Sequence, residues 1–313
     1  MRLVTLAPAK VNLVLRVGPV RADGYHDLRT LMVPLDLGDR VDVRVSPRRG
    51  PVRCTVPGRP ELDGPENLAA RAAEAFRRRF GVDRAVSIRI EKRTPVTAGL
   101  GGGSSDAAAV LRCLARALRV RDGAALAALA LEIGSDVPFF LGPGPAWAAG
   151  RGERLSRAEV PPLDLVLVYP ADPSLAIRAG DAYRWLDEAR ASGSQAPRRL
   201  GRPGRWRPTL LGNDLQAPCV ARKPALQALL GLLVGAGATA AIMSGSGPTV
   251  FGIFPGRGAA RGAALAIQGR AKGGAAGVQV LLARTVRRHP RVSPWRSPRS
   301  ASSRSTRRSS RPT

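Results

Sequence analysis

The most informative part of the chain is PVTAGLGGGSSDAAAVL, residues 95–111. Four of the five residues from Gly99 to Gly103 are glycine, and two serines and an alanine-rich apolar run follow them. Glycine accepts positive φ angles and lets the backbone approach a ligand closely. A strand ending near Glu91, this loop and a following helix gather backbone N–H groups and the positive end of a helix dipole at one point, which favours phosphate. The stretch therefore predicts a phosphate-binding loop, and a flexible glycine-rich turn is the alternative interpretation.

The loop matches neither of two common phosphate fingerprints. A P-loop needs Lys-Ser or Lys-Thr after its last glycine, whereas Ser104 and Ser105 follow here with no lysine. The dinucleotide pattern GxGxxG, started from Gly99 and Gly101, would place its third glycine where Ser104 stands. We expect Ser104 or Ser105 to cap the following helix, with either hydroxyl also able to reach a phosphate or its magnesium ion.

Composition limits the class of protein. The chain has 313 residues, enough for one large or two ordinary domains. Its three scattered cysteines argue against a disulfide framework or a structural zinc site and suit a reducing cytosol. Lys10 and Asn12 interrupt the first apolar run too early for a signal peptide. The longest uncharged apolar segment, 228–243, is shorter than the ~20 residues of a spanning helix. We therefore expect a cytoplasmic protein without a membrane span.

The formal net charge of +27 is unevenly spread. Residues 287–313 hold nine arginines and residues 189–208 hold six, and neither stretch contains an acidic residue. Both stretches lack the apolar content needed to pack, which predicts a basic linker over 189–208 and a disordered tail over 287–313. A salt-sensitive contact with nucleic acid is one interpretation of the tail. Trp295 is its only aromatic residue, which leaves no stacking platform and favours a solvated extension without function.

Hydrophobic periodicity predicts a mixed α+β protein without the regular alternation of a doubly wound sheet. The pattern changes near residue 160, so we predict two domains, 1–160 and 161–286. In the first domain we predict strands at 3–7, 11–17, 30–35, 41–45 and 85–91, and helices at 68–80, 106–118 and 124–133. In the second we predict strands at 165–169, 238–243, 250–254 and 278–283, and helices at 181–189, 224–234 and 257–271.

Further motifs accompany the glycine loop in a fixed order. They are PAKVNLVLRV (8–17), DGYHDL (23–28), GSDVPFFL (134–141), GNDL (212–215) and SGSGPTVFG (244–252). With the loop, they resemble the GHMP small-molecule kinases over roughly residues 1–160 and 210–284. The resemblance implies a two-domain α+β fold, with a ribosomal S5 domain 2-like N-terminal domain, a ferredoxin-like C-terminal domain and the active site between them. Thr94 departs from the family, which usually has an aliphatic residue before Pro95.

The resemblance also implies the reaction and the residues. It implies transfer of the γ-phosphate of ATP, with Mg²⁺, to the 2-hydroxyl of a cytidine diphosphate derivative of methylerythritol in the non-mevalonate isoprenoid route. Lys10 and Asp136 would be catalytic. Asn12, Tyr25 and His26 would bind the substrate, and Gly245, Ser246 and Gly247 would form a supporting loop. The ATP-binding residues would be Pro95, Val96, Thr97, Ala98, Gly99, Leu100, Gly101, Gly102, Gly103, Ser104 and Ser105.

The residue types suit these roles, and ordinary alternatives stay open. A carboxyl with a pKa of ~3.9 is too weak a base to ionise an alcohol beforehand, so Asp136 would orient the hydroxyl and accept its proton late. Lys10 would pair with Asp136 and balance developing charge, and Asn12 lies on the same strand face. The alternatives are that Asp136 caps a short helix, that Lys10 lies on a wet strand face and that His26 is a solvated loop residue.

The nucleotide end is less defined by the residues. Tyr25 would stack on the cytosine base. Ser105 is a candidate contact for the magnesium ion, which keeps several waters in such sites. Lys92 either reaches the nucleotide or is a surface lysine at a strand end.

Two rival functions are a related kinase acting on homoserine, mevalonate or a sugar, and a GHMP-fold module that binds nucleic acid or regulates a partner. The sequence leaves the oligomeric state open.

Overall fold

The computed structural model describes residues 1–198, 200–201, 203–272 and 277–295. Within these residues the chain forms two antiparallel-based sheets, each covered by helices. The strands are β1 (Arg2–Val20), β2 (His26–Arg49), β3 (Val52–Thr55), β4 (Arg84–Glu91), β5 (Ala146–Gly150), β6 (Arg154–Arg157), β7 (Asp164–Pro170), β8 (Gly212–Asn213), β9 (Ala240–Met243), β10 (Val250–Phe254), β11 (Val278–Arg284) and β12 (Ser293–Pro294). The α-helices are α1 (Leu68–Phe80), α2 (Gly102–Leu118), α3 (Gly123–Ile133), α4 (Val137–Leu141), α5 (Ala179–Ala191), α6 (Gln216–Arg222), α7 (Ala225–Gly235) and α8 (Arg257–Lys272).

The first sheet has the strand order β12-β1-β2-β4-β3, with β5 and β6 continuing from β2 and β8 pairing with β1. Two long strands, β1 and β2, run antiparallel from the pair Arg2–Arg44 to the pair Val20–His26. Helices α1 to α4 pack over this sheet around a core that includes the fully buried Phe76, Phe139 and Phe140. Burial of these large aromatic side chains supplies much of the driving force that joins helices to sheet.

The second sheet has the order β11-β7-β10-β9, and every pair in it is antiparallel. Helices α5 to α8 enclose its own core. A further apolar cluster lies between the sheets and contains residues such as Val33, Leu167 and Phe251. The chain passes from the first sheet to the second between β6 and β7, near the predicted boundary at residue 160. Later segments nevertheless return to the first sheet as β8 and β12.

The basic linker is packed where it crosses the junction of the sheets. Trp206 is buried in the apolar cluster between them, and the Trp147 indole N–H donates to the Gly204 carbonyl at 2.8 Å. The expectation that 189–208 lacks the means to pack is wrong for this part, because one tryptophan supplies enough apolar area to anchor a polar segment. Two of the linker's arginines, Arg199 and Arg202, lie outside the described residues.

The tail prediction is also wrong for residues 287–295. This segment pairs with β1 as β12, and His289 and Val292 are buried against the first domain. Backbone pairing decides this position, and backbone pairing leaves no signature in an arginine-rich composition. Residues 296–313 lie outside the described residues.

Most predicted elements are present, with shifted ends. The four strands predicted over 3–45 are joined into two long strands. Their register shifts near Pro8 and Asn12, and a bulge of this kind interrupts the inside–outside alternation by which a continuous strand is recognised in a sequence. Helix α2 begins at Gly102 rather than 106, and Gly101 is its N-cap, with φ 69° and no capping side chain in the described structure. The prediction that Ser104 or Ser105 caps this helix is therefore wrong. In the described ranges no single helix has the length and apolar character to cross a membrane; α6 and α7 meet that test only as a pair bent by 119°.

Candidate active site

The glycine loop is held in its shape by left-handed residues and by a second loop. Thr97, Gly99 and Gly101 have φ of 53°, 73° and 69°. A Cβ on Gly99 would overlap the Ser244 carbonyl oxygen and lie 3.0 Å from the Gly247 carbonyl oxygen. The first N–H groups of a helix have no partner inside the helix, so the start of α2 presents donors at the end of this loop. The geometry supports anion binding there.

The supporting loop, residues 244–248, braces the glycine loop. The Ser244 hydroxyl donates to the Gly99 carbonyl at 3.1 Å. From the GNDL motif, the Asn213 side-chain amide donates to the carbonyls of Met243 at 2.9 Å and Gly245 at 2.7 Å. A Cβ on Gly245 would lie 3.4 Å from the Lys10 Nζ. The supporting loop therefore packs against the glycine loop and lies next to Lys10.

Lys10, Asn12 and Asp136 come together as a polar cluster. The Lys10 ammonium donates to the Asn12 Oδ1 at 2.7 Å and lies 3.6 Å from the Asp136 Oδ2. Lys10 is buried, with 5% exposure, so it does not lie on a wet strand face. The Asn12 amide donates to the Thr30 hydroxyl at 2.7 Å, which orients the Asn12 oxygen towards Lys10. A buried ammonium between an amide oxygen and a carboxylate is well placed to balance developing negative charge.

Asp136 is available for chemistry. It is the N-cap residue of α4, yet in the described structure its side chain makes no capping hydrogen bond. Its side chain keeps 35% exposure and faces a cavity. The helix-cap alternative for this carboxylate is therefore wrong.

Two cavities meet at the glycine loop. A cavity of about 670 Å³ is lined by Lys10, Asn12 and Asp136, and a cavity of about 420 Å³ is lined by residues 95–99 and 101–104. Both cavities include Gly99, Gly101 and Ser104 in their walls. The two cavities therefore adjoin at the glycine loop, and the Lys10–Asp136 pair lies in the wall of the larger one.

The far end of the larger cavity is aromatic. The His26 ring stacks on Tyr183 with centroids 5.2 Å apart, and its Nε2 lies 2.9 Å from the Asp187 Oδ1. Tyr25 is 53% exposed, and the Arg151 guanidinium lies over its ring at 3.7 Å. His26 is thus a buried, partnered residue and not a solvated loop histidine. The sequence reasoning missed Tyr183, Asp187 and Arg151, because the packing of α5 brings the first two to this cavity and the turn between β5 and β6 brings the third, with no motif to mark them.

Lys92 is not a surface lysine: it is ion-paired and lines the smaller cavity beside the glycine loop, so the interpretation that it reaches the nucleotide stays open. Its ammonium donates to the Asp39 Oδ2 at 2.6 Å and to the Asp106 Oδ2 at 2.9 Å. Burial opposes its charge, but the two carboxylates raise the pKa of Lys92 overall. Asp39 also accepts the backbone N–H of Thr94 at 2.8 Å. The cluster ties β2, the residues before the glycine loop and the start of α2 together, and it thereby helps to hold the loop.

The two serines after the glycine loop, Ser104 and Ser105, differ in their position relative to the cavities. Ser104 lines both cavities, whereas Ser105 is 1% exposed and lines neither. The Ser105 hydroxyl has no hydrogen-bond partner within the described residues. Ser105 is therefore poorly placed for a magnesium contact, and Ser104 is the serine of the pair that faces the cavities.

Comparisons with known proteins identify the family of the chain. The models "GHMP kinases N terminal domain" and "GHMP kinases C terminal" match residues 67–144 and 198–272. The family models and the fold thus place the chain among the GHMP small-molecule kinases. The chain is 99% identical to a 4-diphosphocytidyl-2-C-methyl-D-erythritol kinase of Anaeromyxobacter sp. (strain K) over all of both chains. It is 42% identical to the enzyme of the same name from Deinococcus radiodurans, over 85% of this chain and 89% of that one.

A solved structure supports the same assignment. The crystal structure of a 4-(cytidine 5'-diphospho)-2C-methyl-D-erythritol kinase matches with a TM-score of 0.70 and 36% identity, covering 90% of this chain and 98% of that one. The chain belongs to the 4-diphosphocytidyl-2-C-methyl-D-erythritol kinase family of the GHMP kinases.

Proposed function

We propose that this kinase transfers the γ-phosphoryl group of ATP to the 2-hydroxyl of 4-diphosphocytidyl-2-C-methyl-D-erythritol, in the non-mevalonate route to isoprenoid precursors. The observation that carries the proposal is the meeting of two cavities at the glycine loop beside the Lys10–Asp136 pair. One cavity accommodates a nucleotide whose phosphates lie on the loop, and the other accommodates the acceptor. Relatives named for this activity match the whole chain, which supports the choice of acceptor.

Phosphoryl transfer depends mainly on positioning and on neutralising charge. The acceptor oxygen attacks the γ-phosphorus, the bond to the β–γ bridging oxygen breaks, and ADP leaves with that electron pair. Asp136 orients the acceptor hydroxyl and receives its proton late in the step, because a carboxylate is too weak a base to remove it earlier. Lys10, held by Asn12, stabilises the charge on the transferred group.

The substrate is read at the aromatic end of the larger cavity. Tyr25 and Tyr183 offer ring faces to a cytosine base, and His26, held by Asp187, offers a polar edge. Arg151 also lines this cavity and carries a charge suited to a diphosphate. These contacts favour a cytidyl substrate over homoserine, mevalonate or a simple sugar, none of which brings a base to stack.

Magnesium is the expected companion of ATP in this family. The Ser104 hydroxyl lines both cavities and is a hard oxygen ligand of the kind that Mg²⁺ takes, so it would hold the ion together with phosphate oxygens of ATP. When bound with the triphosphate, the ion would supply charge neutralisation and keep several waters. The need for ATP and the reduced, buried cysteines suit a cytoplasmic location.

The test is ADP release with diphosphocytidyl-methylerythritol, mevalonate and homoserine as acceptors, for the wild-type chain and for Asp136→Asn. We expect turnover with the cytidyl acceptor alone, and a loss of about 10²–10⁴-fold in kcat for Asp136→Asn, since that is the usual contribution of a positioned acid–base group. The matched control is Asp83→Asn, whose carboxylate pairs with Arg49 on the surface outside both cavities. Turnover with another acceptor, or full activity of Asp136→Asn, would overturn the proposal.

A further inference from the structure

The last described residues, 285–295, form a C-terminal strap across the first domain. The Val286 N–H donates to the Pro34 carbonyl at 2.8 Å, and the Arg116 guanidinium donates to the Val292 carbonyl at 2.8 Å. Arg112 likewise donates to the Pro290 carbonyl. Since β12 pairs with β1, both ends of the strap are hydrogen-bonded to the domain that holds Lys10 and the glycine loop. A segment anchored at both ends can hold what lies beneath it.

His289 is in the middle of the strap, and its ring packs against α4. Its ring meets Phe139 edge to face, with centroids 5.2 Å apart at 81°, and meets Phe140 at 5.8 Å and 62°. His289 is 8% exposed and both phenylalanines are fully buried. A Cβ on Gly144, just after α4, would overlap the Arg287 carbonyl oxygen, so the strap backbone also lies against the loop that ends this helix.

Helix α4 connects the strap to the reacting groups. It has five residues, and Asp136 is the residue at its N-terminus. A helix this short does not sustain itself by its own hydrogen bonds, so packing of its side chains decides where it lies. Phe140 reaches the glycine loop, since a Cβ on Gly101 would lie 3.0 Å from the Phe140 ring and 3.1 Å from the Lys10 side chain.

We propose that the C-terminal strap positions the catalytic carboxylate, with His289 as a positioning residue that acts through Phe139 and Phe140 on Asp136. The inference rests on the proposed function of Asp136. The distance between the Lys10 Nζ and the Asp136 Oδ2, 3.6 Å, is the geometry that the strap maintains. Removing the ring under the strap lets α4 move and misaligns Asp136 against the acceptor hydroxyl, while the nucleotide-side cavity keeps its walls.

The experiment compares His289→Ala, His289→Phe and Val292→Ala. A displacement of about 1 Å in a catalytic group lowers the rate by up to about 10²-fold, so we expect His289→Ala to lose tenfold or more in kcat. The KM for ATP should change less than about twofold, because the glycine loop that Phe140 reaches is also held by the Ser244 hydroxyl and by the cluster of Lys92 with Asp39 and Asp106. His289→Phe keeps a ring against Phe139 and Phe140 and should restore kcat to within about threefold of wild type.

Val292→Ala is the matched control. Val292 is a buried strap residue in the core of the first domain, and its side chain is not among the aromatic contacts of α4. It should lower the unfolding midpoint in urea without lowering the kcat of the folded fraction. Equal kcat losses in His289→Ala and Val292→Ala would show a merely structural role and overturn the inference.

A double-mutant cycle separates this inference from the proposed function. If His289 acts through Asp136, His289→Ala should have almost no further effect on kcat in the Asp136→Asn background, because the two changes are coupled. Additive effects would overturn the strap inference and leave the proposed function intact. Full turnover by Asp136→Asn alone would instead overturn the proposed function.

Discussion

Substitution of Gly99 by alanine tests how the two active-site loops fit together. Gly99 has φ 73°, and the left-handed conformation costs a residue with a Cβ about 1–2 kcal/mol. The added methyl group would overlap the Ser244 carbonyl oxygen and lie 3.0 Å from the Gly247 oxygen and 3.1 Å from the Gly247 nitrogen. These neighbours are backbone atoms, so the loops must separate, and overpacking of this kind costs about 1–3 kcal/mol. We expect Gly99→Ala to lower the free energy of unfolding by about 2–5 kcal/mol, the sum of the two effects.

The matched control is Gly103→Ala, a change of the same size four residues later. Gly103 lies in the first turn of α2, and nothing lies within 4 Å of the position that a methyl group there would take. Alanine there should not lower stability, since the position is open and helical, and at most it should gain the preference over glycine of about 0.5–1 kcal/mol that holds in helix interiors. The assay is urea unfolding followed by circular dichroism, with the m-value compared between variants to show that the transition is unchanged. The argument for interlocked loops is refuted if Gly99→Ala proves as stable as Gly103→Ala.

Buried contacts lead to two further predictions. Asn213→Ala removes the two N–H donors that hold the supporting loop and should lower the free energy of unfolding by about 2 kcal/mol, at about 1 kcal/mol for each hydrogen bond. Asn213→Asp should lower it further, because it sets a carboxylate against the carbonyls of Met243 and Gly245. An unchanged urea midpoint in both variants would contradict this prediction. Burial, with the nearby Arg112 charge, lowers the pKa of His289 to about 4 from its ordinary 6.5. As pH falls, the unfolded chain therefore binds a proton at His289 before the folded chain does, and the folded state loses stability. Between pH 6.5 and pH 4, the free energy of unfolding of the wild type should fall by up to about 3 kcal/mol more than that of His289→Phe. Parallel stability curves of the two proteins over that range would contradict this prediction.

Local patterns predicted the elements whose ends are set by nearby residues. Helix α1 has the predicted bounds, 68–80, because the Asn67 side chain accepts the Ala69 N–H at its start and Gly81 takes φ 64° at its end. Strand β10 also has its predicted bounds, 250–254. By contrast β5, with the sequence AWAAG, is a strand because β2 offers it backbone partners. Alanine and glycine carry little strand preference of their own, so no local pattern indicated this strand.

The candidate site shows the same division. Residue chemistry alone indicated the glycine loop, because a phosphate site needs a backbone that can approach the ligand closely. The roles of Lys10, Asn12, Asp136 and the supporting loop were implied by the resemblance to the GHMP kinases. Tertiary structure alone showed that Lys92 is held between two carboxylates. It alone showed that Tyr183 stacks on His26 across a gap of more than 150 residues in sequence.

Residue types and their short-range spacing predicted a mixed α+β fold and a phosphate-binding loop, whereas the two-domain kinase fold and the pairing of Lys10 with Asp136 were implied by the resemblance to the GHMP kinases. The return of residues 287–295 to the first domain, which places His289 against Phe139 and Phe140, became visible only in the folded chain. The reason is physical: backbone pairing and side-chain packing depend on which surfaces meet, and neither composition nor periodicity of an arginine-rich segment records the surface that it will meet.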